Sequence, residues 1–237
     1  LLHGDGTNGA QNNTFLDSST NNFTITRNGN TTQGSFDPYV GPGNWGNYFN
    51  GSTDYLTLPS GTGFSLGTSD FTIEAWVYPT ARVTNSAYVI GQSSYGVGTD
   101  FVFWITSAGI LQFYMTTGGA NIVTSTGTIP LNTWTHIAVS RSGTSFKMFI
   151  NGAVDGTLTS SVSITNSYTP VTIGNSTNNT GSVYFPGYIS NLRVVKGAAV
   201  YTAAFTALTR PLVATTQTTL LTCNSNGFID QSAANYI

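Results

Sequence analysis

The chain has 237 residues, only 7% of them charged, and a formal net charge of −2. Its seven Lys and Arg are scattered along the length, which excludes a phosphate-tracking stripe and with it a nucleic-acid ligand. A single cysteine, Cys223, excludes an intrachain disulfide, and no run of about 18 apolar residues is present to cross a bilayer as a helix.

Thr, Ser, Asn and Gly fill the charge deficit, so the expected surface is neutral hydroxyl and amide. Little like-charge repulsion opposes association of such a surface, which points to a subunit of an assembly. A domain held together without disulfides fits folding in a reducing cytoplasm better than an animal extracellular matrix. Six Asn-x-Ser/Thr sequons, at Asn12, Asn22, Asn30, Asn50, Asn175 and Asn178, are about what chance gives in a chain this rich in the three residues, so they imply no glycosylation.

In chain order, the opening Leu1-Leu2-His3-Gly4 has no Met, basic head or apolar signal core, as expected of a processed form or a fragment. Asp54 to Pro59 is the first strand-like string. In Phe71 to Tyr78, Phe71, Ile73, Ala75 and Val77 fall on one face and Thr72, Glu74, Trp76 and Tyr78 on the other, the period of two that a half-buried strand requires. Apolar-rich runs follow at Phe101 to Thr106, Ile110 to Thr116, Thr133 to Ser140, Ser145 to Ile150, Val171 to Gly174 and Tyr188 to Val195. Ala108-Gly109, Ser142-Gly143 and above all Asn151-Gly152 read as hairpin turns, the last because a two-residue primed turn needs positive φ at both positions. No long segment has helical periodicity, so the class is all-β, a two-sheet antiparallel sandwich. Trp76 and Trp134, inside strand strings, read as core.

Leu220-Leu221 followed by Phe228 to Tyr236 repeats the pattern of Leu1-Leu2 followed by Phe15 to Phe23. Residues 1–212 are therefore read as the domain and 213–237 as a tail, either a docking arm whose segment packs beside its counterpart or the start of a truncated further unit.

Asp54 to Tyr78 and Trp134 to Gly152 together resemble the laminin-G-like members of the concanavalin A-like lectin/glucanase jelly rolls. Gly187 to Gly197, with Tyr201-Thr202 and Phe205, and the opening Leu1 to Gly6 resemble such domains in bacteriophage structural proteins. The resemblance implies a jelly roll with Greek-key connections and a place on a virion. Glucan-cleaving relatives carry Glu-x-Asp-x-x-Glu on one strand, whereas Glu74 is the only Glu here and has Thr72 and Trp76 at strand spacing. Hydrolysis needs two carboxylates at about 5 to 9.5 Å, so the chain is expected not to be an enzyme. His136 has no nucleophile or orienting carboxylate nearby in sequence and is read as structural.

Relatives also hold structural calcium, and Asp5, Asp17, Asp54, Asp70, Asp100 and Asp155 adjoin turns; no Asp-x-Asp-x-Asp loop is present, so a Ca²⁺ is an option without assigned ligands. For carbohydrate, Trp45, Tyr95 and Trp104 are the candidate surface aromatics, weighed against packing or subunit contact. The expectation is a non-enzymatic bacteriophage structural protein, a capsid decoration, fibre or tail-associated subunit at the virion surface, assembled in the host cytoplasm. Its partners are other virion proteins, copies of itself and, for attachment, glycans, but no nucleic acid or membrane. The alternative is a lectin-like carbohydrate-binding module of a secreted, extracellular bacterial adhesin.

Overall fold

The computed structural model describes residues 17, 19–34, 36–39, 44–59, 62–94, 98–115, 121–164, 170–176 and 183–224. They contain the strands β1 (Thr26–Asn28), β2 (Thr32–Gly34), β3 (Gly46–Asn50), β4 (Tyr55–Leu58), β5 (Phe71–Pro79), β6 (Ser86–Ser94), β7 (Gly98–Thr106) and β8 (Ile110–Met115). The series continues with β9 (Asn121–Thr128), β10 (Thr135–Ser142), β11 (Ser145–Ile150), β12 (Ala153–Thr159), β13 (Val171–Ile173), β14 (Pro186–Lys196) and β15 (Thr218–Thr222). A seven-stranded front sheet has the order β1-β4-β13-β6-β7-β8-β9; an eight-stranded back sheet has β12-β11-β10-β5-β14-β3-β2, with β15 also paired to β14. Pairing is antiparallel throughout, the β-sandwich that the strand alternation requires.

Alternation decides which side chains meet between the sheets. Phe71, Ile73, Ala75 and Val77 of β5 enter one core with Phe101, Phe103 and Ile105 of β7 and Leu111, Phe113 and Met115 of β8. Burying each large apolar side chain contributes about 1.5–3 kcal/mol, which lets the domain stand without crosslinks. The same alternation corrects the reading of Trp76 and Trp134. With Ala75 and Val77 turned inward, Trp76 must face out of the back sheet, where it packs edge-on against Tyr39 at 5.9 Å and His136 at 5.4 Å. Trp134 likewise packs against Tyr78 at 5.5 Å on that outer side.

Asn151 and Gly152 have φ of 49° and 81°, the primed turn expected between β11 and β12. Ser142 is instead the last residue of β10, paired with Ser145, so that turn is Gly143-Thr144 with Gly143 at φ 59°. Gly109, at φ 84°, closes the β7–β8 turn by donating its N–H to the Thr106 carbonyl at 2.8 Å.

Three tertiary ties complete the frame. Asp17 accepts the N–H groups of Ser19 at 2.8 Å and Leu221 at 3.2 Å, and the Ser19 hydroxyl donates to the Thr219 carbonyl at 2.7 Å, so Asp17 and Ser19 are bound to β15. Leu220 of β15 lies in the core. The remaining parts of the repeated pattern, 1–16 and 225–237, lie outside the described residues. At the sandwich edge, Asp155 of β12 accepts the N–H groups of Thr126 and Gly127 of β9, each at 2.9 Å, and joins the two sheets. From Gly197 to Val213 the chain runs without strand or helix as a strap over the outer side of the back sheet.

Candidate functional site

The outer side of the front sheet is built by β6, β7 and β8 lying side by side. Because Phe103 and Ile105 point into the core, Trp104 between them points out. Register places it opposite Tyr88 of β6 and Gln112 of β8, with Tyr114 one step along on the same face. The Trp104 ring lies 5.3 Å from Tyr88, tilted by 41°, and 5.8 Å from Tyr114, stacked at 19°. All three side chains are half-buried, so each ring keeps an open part.

Polar groups lock the row. Trp104 Nε1 donates to Gln112 Oε1 at 2.9 Å, and Gln112 Nε2 donates to Thr124 Oγ1 of β9 at 3.3 Å. Burial, reinforced by the neighbouring Tyr114, pushes the Tyr88 phenol up to about 12, so it remains a neutral donor at physiological pH. An uncharged aromatic row flanked by amide and hydroxyl groups can stack on the C–H face of a ring while bonding its hydroxyls.

Of the three aromatics singled out in the sequence, the structure places Trp104 on this face. Trp45 precedes β3 in the back sheet, half-buried, with its carbonyl accepting from Ser190 Oγ at 2.6 Å, so it belongs to a different surface. Tyr95 lies outside the described residues. Tyr88 and Tyr114 escaped the sequence reading; only strand pairing brings them to Trp104, although their alternation with Ala87, Phe113 and Met115 marked them as outward-facing.

Glu74 and His136 meet on the other sheet, buried beneath the strap. Glu74 Oε1 accepts from Arg193 Nε at 2.8 Å and Nη2 at 2.5 Å; Oε2 accepts from Tyr201 Oη at 2.8 Å and lies 3.1 Å from His136 Nε2. Burial raises the Glu74 pKa, but the bonds from His136, Arg193 and Tyr201 outweigh it and hold the carboxyl below its usual value. The group is a fully occupied anion that ties β5, β10, β14 and the strap together. The groups bonded to it are a guanidinium, a phenol and an imidazole, with no second carboxylate among them. Beside the strap a pocket of about 180 Å³ is lined by hydroxyls and Lys147, whose Nζ donates to the Thr202 carbonyl at 2.5 Å.

The described turn aspartates accept hydrogen bonds from loop amides. Asp54 accepts from the Asn30 and Asn50 N–H groups at 2.7 and 3.2 Å, Asp70 from Gly143 N–H at 2.7 Å, and Asp17 and Asp155 hold the loops described above. Among the described residues no three His, Cys, Asp or Glu gather where they could hold a metal ion. Asp5 and the side chain of Asp100 lie outside them.

Two layered antiparallel sheets with a half-open aromatic face define a lectin-like sandwich domain. A laminin-G-like family model, described as the concanavalin A-like lectin/glucanases superfamily, matches residues 49–201, and the chain belongs to that superfamily. No curated protein matches it. Among solved structures it is similar to domain 4 of AbnA, a GH43 extracellular arabinanase from Geobacillus stearothermophilus in complex with arabinotriose, at 22% identity and a TM-score of 0.59, over 80% of this chain and 90% of that one. It is also similar to a structure of botulinum neurotoxin type C, whose cell entry depends on two ganglioside molecules, at 14% identity and a TM-score of 0.56, over 79% and 48% of the chains. For domains LG4-5 of the mouse laminin alpha1 chain the figures are 20%, 0.50, 69% and 44%. The chain thus spans about half the length of the last two or less, and likeness at these identities shows the fold alone.

Proposed function

We propose that this chain is a non-enzymatic structural subunit at the surface of a bacteriophage particle, as a capsid decoration, fibre or tail-associated protein, and that its front sheet binds neutral glycans. The observation that carries the binding half is the outward row of Tyr88, Trp104 and Tyr114 with Gln112 beside it. Saccharide recognition by the arabinanase domain, which shares the fold, supports it. The virion half, with assembly in the host cytoplasm, is supported by the resemblance of Gly187 to Phe205 to phage domains and by the sparsely charged composition. Occupation of the only Glu by Arg193, Tyr201 and His136 favours a non-catalytic role.

The second reading is a lectin-like module of a secreted bacterial adhesin, favoured by the extracellular bacterial origin of the arabinanase domain. A glycan array probed with wild type and Trp104→Ala tests the binding half. Specific binding that weakens at least about tenfold in the variant is expected, as for other central aromatic anchors. A blank array, or binding unchanged in Trp104→Ala, refutes the platform. Proteomics of purified particles then separates virion from adhesin.

A further inference from the structure

Phe146 and Met148 of β11 point into the core, so Ser145 and Lys147, which alternate with them, point out of the back sheet. Register sets Ser142 of β10 beside Ser145 and Ser140 beside Lys147; on the other flank stand Thr159 and Thr157 of β12, both exposed. Two short rows of hydroxyls thus surround one ammonium. The strap walls them in. Lys147 Nζ donates to the Thr202 carbonyl at 2.5 Å, and the Tyr201 ring is fixed by Phe205, stacked at 3.6 Å, and by its hydroxyl, which donates to Glu74 at 2.8 Å. Between strap and sheet lies the pocket of about 180 Å³, lined by Ser140, Ser142, Ser145, Lys147, Tyr201 and Thr202.

We propose that this pocket binds one carboxylate-bearing sugar ring, a uronic acid unit of an acidic glycan. Lys147 spends one of its three donors on the strap and has no carboxylate within ion-pair distance among the described residues. The acids on the neighbouring strands are engaged elsewhere: Asp70 accepts from Gly143 N–H at 2.7 Å, Glu74 is held by Arg193, and Asp155 faces β9. A partly buried ammonium left with free donors favours an anion. Ser140 is bonded to Thr72 at 2.7 Å, but among the described residues the hydroxyls of Ser142, Ser145 and Thr202 meet no protein partner. Each can donate and accept, as a ring carrying its own hydroxyls requires, whereas phosphate and sulfate sites draw on Arg forks or clustered backbone N–H groups that this strand face does not offer. The volume resembles that of the cavity of about 150 Å³ that takes a benzene-sized ring, so it admits one pyranose. Thr157 and Thr159 continue the polar surface across β12 for the units that follow.

This site lies on the sheet opposite the aromatic row and stands or falls independently of it. Amide NMR spectra of the whole chain, titrated with glucuronate, glucose and acetate at about 0.15 M salt, test it residue by residue. Glucuronate is expected to shift the amides of 140–147 and 201–202 with a dissociation constant on the order of 1 mM, and glucose and acetate to bind there at least about tenfold more weakly. Lys147→Met should erase the preference, weakening glucuronate about tenfold to the level of glucose. Because Lys147 also holds the strap, Ser145→Val is the second variant: it fills the pocket, keeps the ammonium and its strap bond, and should weaken glucuronate by a similar factor. Thermal melts check that both variants fold. No shifts in these segments at about 50 mM glucuronate, acetate binding as well as glucuronate, or wild-type affinity in both variants overturns the proposal. Shifts confined to 102–106 and 112–114 also overturn it while supporting the front-sheet platform.

Discussion

Glu74 receives its partners from far along the chain: Arg193 is 119 residues away and Tyr201 127. In the sequence it stands out as the lone Glu on the outer face of a strand; its neutralisation does not, because both partners depend on β14 pairing with β5 and on the strap folding back. The bonds that hold its pKa below the ordinary 4.5 favour the folded state. Their contribution is complete above the unfolded-state pKa and is lost as pH falls through the lower folded-state value. Glu74→Gln leaves Arg193 buried without its counter-charge and is expected to lower unfolding free energy by about 3–5 kcal/mol at neutral pH. Urea titrations of the two proteins should also converge as pH falls below the ordinary carboxylate range, since protonation does to wild type what the substitution does permanently. Equal stabilities at neutral pH would show that the network adds nothing. Trp104 was readable as outward-facing from Phe103 and Ile105, whereas the identity of its neighbours waited on register.

Strands with strong apolar contrast, such as β5, β8, β11 and β14, stand out in the sequence to within a few residues. β6, β9 and β12 do not. β6 carries a bulge at Tyr88/Ile90 that breaks the period of two, and β9 and β12 are rich in Thr, Ser and Gly, whose outward and inward positions hardly differ in polarity. The strap has no periodicity at all. It is recognisable only by what it covers: Tyr201 and Phe205 stack at 3.6 Å and pack on His136 and Phe149, and Phe205 N–H donates to the Gly152 carbonyl at 2.9 Å. Gly152 therefore serves twice, since its positive φ closes the β11–β12 turn and a Cβ there would overlap the Phe205 carbonyl oxygen. Gly152→Ala should cost about 1–3 kcal/mol. A thermal midpoint lowered by several degrees, with faster limited proteolysis between 200 and 213, is the expected outcome. An unchanged cleavage pattern would mean that the strap does not depend on this contact.

At the scale of the molecule, one core serves both sheets, and Cys223 at the end of β15 reports on it. Burial pushes its thiol up to about 12, so neither access nor thiolate is available in the folded protein. Alkylation of Cys223, followed by mass spectrometry across a urea series, should track global unfolding. Labelling in native buffer faster than global unfolding would show that β15 opens by itself. The carboxylate clasp between β12 and β9 has a wider effect. Unpaired amides along a sheet border invite neighbouring chains to extend it by a ribbon, and a charge drawn inward at the border is one way to discourage this. By turning the side chain of Asp155 onto the opposite border and bending β12 at its bulge, the molecule blunts this border against lateral strand addition.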